Sequence, residues 1–325
     1  MYDVVGIDTP CMDLNLNLAN FPARGLGESI KQINWQGGGK VASGMVACAR
    51  LGAKCAMMGS VGDDIFGQFI IGDFERHGID TSAMKIKAGE SSPLSVVLSE
   101  AAGGSRTFLY KDSSGAHYGH DNIDEELLKN TKYFFISHGN EVICQAVDIA
   151  RDAGAKIFID ADWYSPETVA LIPKIDVFVG SEFFYKGMFG EDNSYEANCR
   201  KIMDMGPQIV LFTFGENGCV GLSADGYFSL PAFRVEVVDT VGAGDVFHGA
   251  FLAGLLAGRT VKDAARFASA VAAIKCTRIG GRAGIPDLKT AERFLLDGFI
   301  DYTEIDARVK FYERGLEHAK NQRSI

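Results

Sequence analysis

Asp239-Thr240-Val241-Gly242-Ala243-Gly244-Asp245 follows a β-rich stretch, residues 233–238, and opens a helix whose apolar face is Val246, Phe247, Ala250, Phe251 and Leu255. Glycines at a helix start leave backbone N–H groups free at the positive end of the helix dipole, and an anion such as a phosphate can approach them closely. Asp245, in the first turn beside that anion site, would repel a phosphate unless it faced a neutral hydroxyl waiting to attack. A carboxylate next to a phosphoryl cradle is a candidate general base for phosphoryl transfer. The same run also reads as a turn ended by a helix-capping aspartate, and motif shape alone does not separate the two.

Gly37-Gly38-Gly39 lets backbone come close to a small polyhydroxy ligand, and Asp13, just past the first strand, can accept from two sugar hydroxyls. Lys40 follows the glycines and either reaches that ligand or stands as a solvated first-turn lysine. The run Gly37-x-Gly39-x-x-Ala42 also fits G-x-G-x-x-G/A, with Asp63 about 20 residues on, so an NAD(P)-dependent oxidoreductase is the rival reading. That motif belongs in the first βα turn, and here the first strand runs into Gly6-Ile7-Asp8 with no such loop. Lys40 is followed by Val41, so no Walker A loop is present. His138, just after an apolar strand at 133–136, lies where strand ends point at a ligand in an open α/β sheet and can touch the sugar. None of the six histidines forms H-E-x-x-H, and His117 and His120 in a polar loop are too little for zinc.

The elements that must hold these residues alternate. Short β-branched runs at 3–7, 55–58, 133–136, 156–159, 177–179 and 209–212 are separated by helical patterns such as 40–51, 65–77, 142–153 and 195–205. The strands are apolar throughout, as in a parallel sheet covered by helices on both faces. Residues 14–35 and 94–110 alternate instead, with Gly-rich turns, and predict a small antiparallel accessory sheet. After Asp239 the chain is helical over 245–257, 261–276 and 288–296, and Ile305, Val309, Tyr312 and Leu316 have the spacing of a surface helix.

With 325 residues, 47% hydrophobic and 23% charged, the chain can bury a large core and is not disordered. Its net charge of −10 opposes a nucleic-acid backbone or an anionic membrane surface, so neither is expected as a partner. No run reaches about 18 uninterrupted apolar residues, and the start lacks a basic segment before an apolar one, so no membrane span or signal peptide is expected. The seven cysteines are odd in number, far apart and never paired as C-x-x-C; they read as reduced core thiols of a cytoplasmic protein.

The run at Asp239–Asp245 resembles the C-terminal signature of the PfkB (ribokinase-like) carbohydrate kinases. Gly37-Gly38-Gly39-Lys40 leading to Ala49-Arg50-Leu51-Gly52 is similar to the family's N-terminal signature, and Gly59-Ser60-Val61-Gly62-Asp63-Asp64 with Phe66-Gly67 resembles its Val-Gly-x-Asp-x-x-Gly turn. With Thr213-Phe214-Gly215-Glu216-Asn217-Gly218 the likeness spans nearly residues 2–297. It implies an α/β, ribokinase-like fold, a mainly parallel central sheet flanked by helices with a small β-sheet lid over the sugar site. It implies ATP and Mg²⁺ as cofactors, Asp13, Gly38 and Gly39 as substrate contacts, and Thr213, Gly215 and Gly218 as shapers of the nucleotide pocket. Ser43 stands where many members have a substrate-binding Asn. Ser181-Glu182-Phe183-Phe184 stands where many carry Asn-x-x-Glu for magnesium-bound phosphate, with Glu182 as the neighbouring substitute. Residues 276–286 resemble the loop that, with the carbonyls of Asp239 and Val241, holds a monovalent cation in many relatives. Here Lys275, Arg278 and Gly280 would contribute mostly backbone to it, and K⁺ would activate.

On this reading residues 1–325 form one ribokinase-like domain, with a lid from about 14–35 and 94–110 and a helical C-terminal extension over 298–325. The activity expected is ATP-dependent phosphorylation of a primary hydroxyl of a small sugar or sugar-like molecule. Asp245 is the base, and the amides of Gly242, Ala243 and Gly244 stabilise the transferring phosphoryl group. Ribose, fructose, a keto-deoxy sugar acid, a nucleoside and an inositol-type polyol all meet that description. A non-catalytic sugar or nucleotide sensor on the same fold is the alternative favoured by the eroded 181–184 motif, and the intact Asp245 speaks against it. The lid should bear an apolar face through Ile30, Val96, Leu98 and Phe108, covered by the same sheet of a second copy, giving a homodimer joined lid to lid.

Overall fold

Strands that are apolar on both faces must be covered on both faces, and this constraint arranges the chain. In the computed structural model, which describes residues 1–100 and 106–316, the elements run β1 (Tyr2–Asp8), β2 (Met12–Leu18), β3 (Ile30–Gly37), α1 (Lys40–Arg50), β4 (Cys55–Gly62), α2 (Ile65–Arg76), β5 (Asp80–Lys87), β6 (Leu94–Glu100) and β7 (Arg106–Lys111). There follow α3 (Glu125–Lys129), β8 (Thr131–Ile136), α4 (Glu141–Asp152), β9 (Lys156–Ala161), α5 (Pro166–Leu171), β10 (Val177–Ser181), α6 (Glu182–Phe189), α7 (Tyr195–Met203), β11 (Ile209–Thr213), β12 (Cys219–Ser223) and β13 (Gly226–Leu230). The last four are α8 (Ala243–Leu256), α9 (Val261–Lys275), α10 (Leu288–Asp297) and α11 (Thr303–Glu313). None of the helices among the described residues is long and apolar enough to cross a membrane.

The central sheet has nine strands in the order β13-β12-β11-β10-β9-β8-β1-β4-β5, parallel except where β12 turns back on β11 and β13 on β12. Successive residues feed two different cores. Val4, Phe135, Phe158, Val179 and Leu211 pack with residues of α1, α8 and α9, while Val5, Phe134, Ile157, Phe178 and Val210 pack with residues of α4, α6 and α7. On the first side α1 and α8 come so close that a Cβ on Gly249 would overlap the backbone of Gly44. This approach brings Lys40 and Asp245 to the same end of the sheet.

The outer edges of the sheet, β5 and β13, are among the strands with no counterpart in the sequence reading. The β-rich stretch at 233–238 forms no strand; Phe233 and Val235 pack instead against Ile274, Phe294 and Ile305.

The second sheet is separate, with four strands in the order β3-β2-β6-β7. β2 and β6 are parallel, and the outer pairs are antiparallel. Its two faces differ in chemistry. Register places Asp13, Asn15 and Asn17 beside Gln36, Asn34 and Gln32 on one side and Ser95, Val97 and Ser99 on the other. The opposite face carries Leu14, Leu16, Ile33, Trp35, Val96, Leu98 and Leu109. Phe108 pairs with Val97 and so points away from Val96 and Leu98, whereas Ile30 pairs with Leu18 across a register shift. Phe108 therefore does not belong to the apolar face assigned to it above.

The helix α11 is not a surface appendage. Val309 and Tyr312 are buried with Met12 and Phe69, and half-buried Trp35, Leu94 and Phe66 pack against them, so α11 and α2 cover the base of the apolar face. Beneath them lies an ion pair with no solvent exposure, Arg282 Nη1 donating to Asp73 Oδ2 at 2.7 Å. Tyr312 Oη donates to Asp73 Oδ1 at 2.8 Å, and Arg282 Nη2 donates to the carbonyl of Gly38 at 3.0 Å. Gln36 Oε1 accepts from the amides of Arg282 and Ala283. The burial of Asp73 is outweighed chiefly by the charge of Arg282, which holds its carboxyl below the ordinary range.

Removing one member of such a pair leaves an uncompensated buried charge. Arg282→Met should lower unfolding stability by about 3–5 kcal/mol, measured by chemical denaturation. Pairing it with Asp73→Leu should restore part of the loss; a double variant no better than the single one would show that the charges are not coupled.

Candidate active site

The turn expected to cradle an anion lies at the start of α8. Gly242 takes the left-handed conformation at φ 70°, and a Cβ there would crowd the Cα of Gly281 at 2.9 Å. Gly244 faces open space. The amide of Ala243 donates to the carbonyl of Thr240 at 3.2 Å, so the turn itself uses that donor, leaving Gly242 and Gly244 as the amides of the cradle. Asp239 fixes the turn from below, its carboxylate accepting from the amides of Val241 at 3.0 Å and Gly280 at 2.8 Å.

Asp245 stands half-buried on the first turn of α8. Burial, and then the neighbouring charge of Asp160, push its carboxyl up to about 8, while Lys40 pulls it down. Asp160, at the C-terminal end of β9, is 1% exposed and likewise raised by burial. His248, one turn along α8, donates from Nδ1 to the carbonyl of Gly244 at 2.6 Å and lies 3.3 Å from Asp160 Oδ2. Lys40 forms an ion pair with Asp162, so it is neither free nor merely solvated. Asp8 receives the amide of Ala42 at 3.0 Å and sits under Gly39, where a Cβ would touch its carboxylate.

Across the pocket, Gly38 lies so close to Asp13 that a Cβ would overlap the carboxylate. Burial raises Asp13 to about 6, against the donated thiol of Cys11 at 3.2 Å and the charge of Arg282. Beside Asp13, the side-chain amides of Asn15 and Asn34 are buried with polar atoms that have no protein partner. Buried groups of this kind are ordinarily hydrogen-bonded, so the surface suits a polar ligand. Arg106 of β7 reaches over to the hydroxyl of Thr240 in the cradle. His138 is held by Tyr118 Oη at 2.9 Å and by Asn140 at 3.2 Å. Ser43 is buried in α1, its hydroxyl 3.9 Å from where a Cβ on Gly281 would stand.

Thr213, Gly215 and Gly218 form the turn between β11 and β12, and both glycines need positive φ there. Ser181 caps α6, accepting from the amides of Phe183 at 3.0 Å and Phe184 at 3.2 Å. The Glu182 carboxylate lies 3.6 Å from Lys186, one turn down the same helix, so the structure gives it a partner other than a metal-bound phosphate. Among the described residues no group of three or more His, Cys, Asp or Glu side chains is placed to hold a metal ion.

Sequence reasoning missed Asp8, Asp160, Asp162, His248, Asn15, Asn34 and Arg106. The acidic residues were open to the rule that strand C-termini face the ligand in an open α/β sheet, and Ile159-Asp160-Ala161-Asp162 is such an end. The asparagines were visible as the polar half of an alternating strand.

A family model described as pfkB family carbohydrate kinase matches residues 1–288. A 5-dehydro-2-deoxygluconokinase of Clostridium perfringens is 29% identical over 94% of this chain and 96% of its own length. Among solved structures, ribokinase from Thermotoga maritima superposes with a TM-score of 0.78 at 23% identity over 91% of this chain and all of that one (100%). Arabidopsis thaliana ribokinase, solved with ribose and ATP, superposes with a TM-score of 0.76 at 21% identity over 90% of this chain and 98% of the other.

Removing the Asp160 charge removes a repulsion that raises Asp245. Asp160→Asn should therefore shift the Asp245 titration to lower pH, read from its carboxyl carbon by NMR. An unchanged midpoint would mean that the two carboxylates do not feel each other.

Proposed function

The chain belongs to the PfkB family of carbohydrate kinases, and from that premise we propose that it moves the γ-phosphoryl group of ATP to a primary hydroxyl of a small sugar or sugar acid. The observation that carries this reading is the placement of Asp245, a carboxylate held neutral-prone by burial and like charge between an amide cradle and a wall of buried, unpartnered polar groups. The sugar lies against Asp13, Asn15, Asn34, Gly38 and Gly39, with its attacking hydroxyl toward Asp245. Lys40 and His138 border the same space, and the amides of Gly242 and Gly244 face the charge that develops on the phosphoryl group. The nucleotide lies over Gly215 and Gly218, and Mg²⁺ carried on its phosphates spreads their charge. Ser181 shapes that end of the pocket by fixing the start of α6.

The small sheet acts as the lid. Its polar face closes on the cradle, with Arg106 at Thr240 as the contact that spans the gap, and closure excludes water that would otherwise hydrolyse ATP. The outer part of its apolar face, Leu14, Leu16, Val96, Leu98 and Leu109, lies beyond the cover of α2 and α11, and a second copy of the sheet is its complement. The homodimer expected from this reading should appear by light scattering at micromolar concentration; a monomer there would defeat the lid-to-lid assembly.

The name of the Clostridium relative makes 5-dehydro-2-deoxygluconate the first compound to assay for ADP release, beside fructose, ribose and an inositol. Asp245→Asn should retain the fold, since Asn still suits a first turn, and lose about 10²-fold or more in kcat. A base must be deprotonated to accept the proton, so kcat/KM should fall as pH drops through the raised pKa of Asp245. Retention of more than about a tenth of kcat would remove Asp245 as the base, and detectable nicotinamide-cofactor binding without ADP from any sugar would favour an oxidoreductase.

A further inference from the structure

The loop behind the cradle was expected to hold a monovalent cation on the carbonyls of Asp239 and Val241. The residues present do not fit that ion. Lys275, the last residue of α9, is 0% exposed, and its Nζ donates to the carbonyl of Asp239 at 3.0 Å. Several other carbonyls of the loop accept hydrogen bonds as well. Arg278 Nη1 donates to Thr277 O at 2.7 Å, Gln36 Nε2 to Ile279 O at 2.9 Å and Arg308 Nε to Ala283 O at 3.0 Å. The carbonyl of Lys275 accepts the amide of Arg278, and a Cβ on Gly284 would overlap that same carbonyl.

We propose that the Lys275 ammonium occupies the place of the monovalent cation and that this chain is a cation-independent member of its fold. An ammonium is a compact charge with three donors, the same kind of ligand for a carbonyl as K⁺. A buried ammonium and a K⁺ ion at one carbonyl repel each other strongly where the dielectric is low, so the site takes one or the other. Through Asp239, which also holds the amides of Val241 and Gly280, Lys275 positions the turn that carries Gly242 and Asp245. It touches neither sugar nor nucleotide and is a positioning residue. The inference rests on the kinase reading only for its effect on rate.

Thermal unfolding midpoints and rates of ADP release are measured for the wild-type protein in KCl, NaCl and choline chloride at constant ionic strength. Equal midpoints and equal rates are expected in all three. Lys275→Met and Lys275→Ala should lose about 10²-fold in kcat/KM, the usual cost of misplacing a catalytic group by about 1 Å. In both variants K⁺ or NH₄⁺ should restore part of the rate and raise the midpoint with concentration, as mass action requires of an ion bound only to the folded state. A wild-type midpoint or rate that climbs with K⁺ overturns the proposal, as do variants that keep full rate or respond to no monovalent cation. If neither variant folds, the wild-type salts decide alone. The thermal arm reads cation binding even if no sugar is phosphorylated, so failure of the kinase reading shows separately.

Discussion

One buried ion pair ties together pieces of chain that lie far apart in the sequence. Asp73 on α2 and Arg282 in the loop after α9 are both without solvent exposure. Arg282 continues to the carbonyl of Gly38 at the end of β3, while Tyr312 of α11 completes the shell of Asp73. A charge taken out of water must have its partner and its hydrogen bonds in place, or its desolvation goes unanswered. Gly38, the cradle loop, α2 and the C-terminal helix are therefore held in one mutual geometry. A Cβ on Gly37 would overlap the guanidinium, so the glycine run serves the ion pair as much as it serves any ligand.

The charges in the pocket follow a different logic. Asp8, Asp160 and Asp245 are all raised first by burial, and the charge of Lys40 opposes this at each, after that of His138 at Asp8 and beside that of His248 at Asp245. Lys40 begins α1 and is paired with Asp162 just beyond β9, so its position depends on both sides of the pocket. Carboxylates crowded at a helix N-terminus do not serve stability. They raise the proton affinity of Asp245, the residue proposed to take up the hydroxyl proton.

Much of this was legible from the residues alone. The inner strands of the central sheet were plain because a strand buried on both faces has to be apolar throughout, and the Asp239–Asp245 run carried its turn and the proposed base in seven letters. β5, Asp80-Thr-Ser-Ala-Met-Lys-Ile-Lys, was missed because an edge strand carries charge on its exposed side. The 233–238 run was misread because apolar alternation fits an extended segment lying on helices as well as one paired in a sheet. Phe108 was placed on the wrong face because parity in β7 depends on register against β6, which sequence does not specify. Lys275 and Arg282 could not have been picked out as buried, since a lone Lys or Arg is almost always at the surface and only the carbonyls and carboxylate around them justify the exception.

The parallel pairing of β2 with β6 bears on the order in which the molecule assembles. Met12 meets Leu94 and Leu18 meets Glu100, so the two strands join only after β3, α1, β4, α2 and β5 have been threaded between them. Closing so long a loop costs chain entropy before any ladder bond repays it, and the intervening elements lower that cost only once they have docked on the central sheet. The small sheet is thus a late structure on the folding path, and its edges and apolar face are the last surfaces to be sheltered. A nascent chain would expose them until α11, near the end of the described residues, arrives to cover Met12 and Trp35.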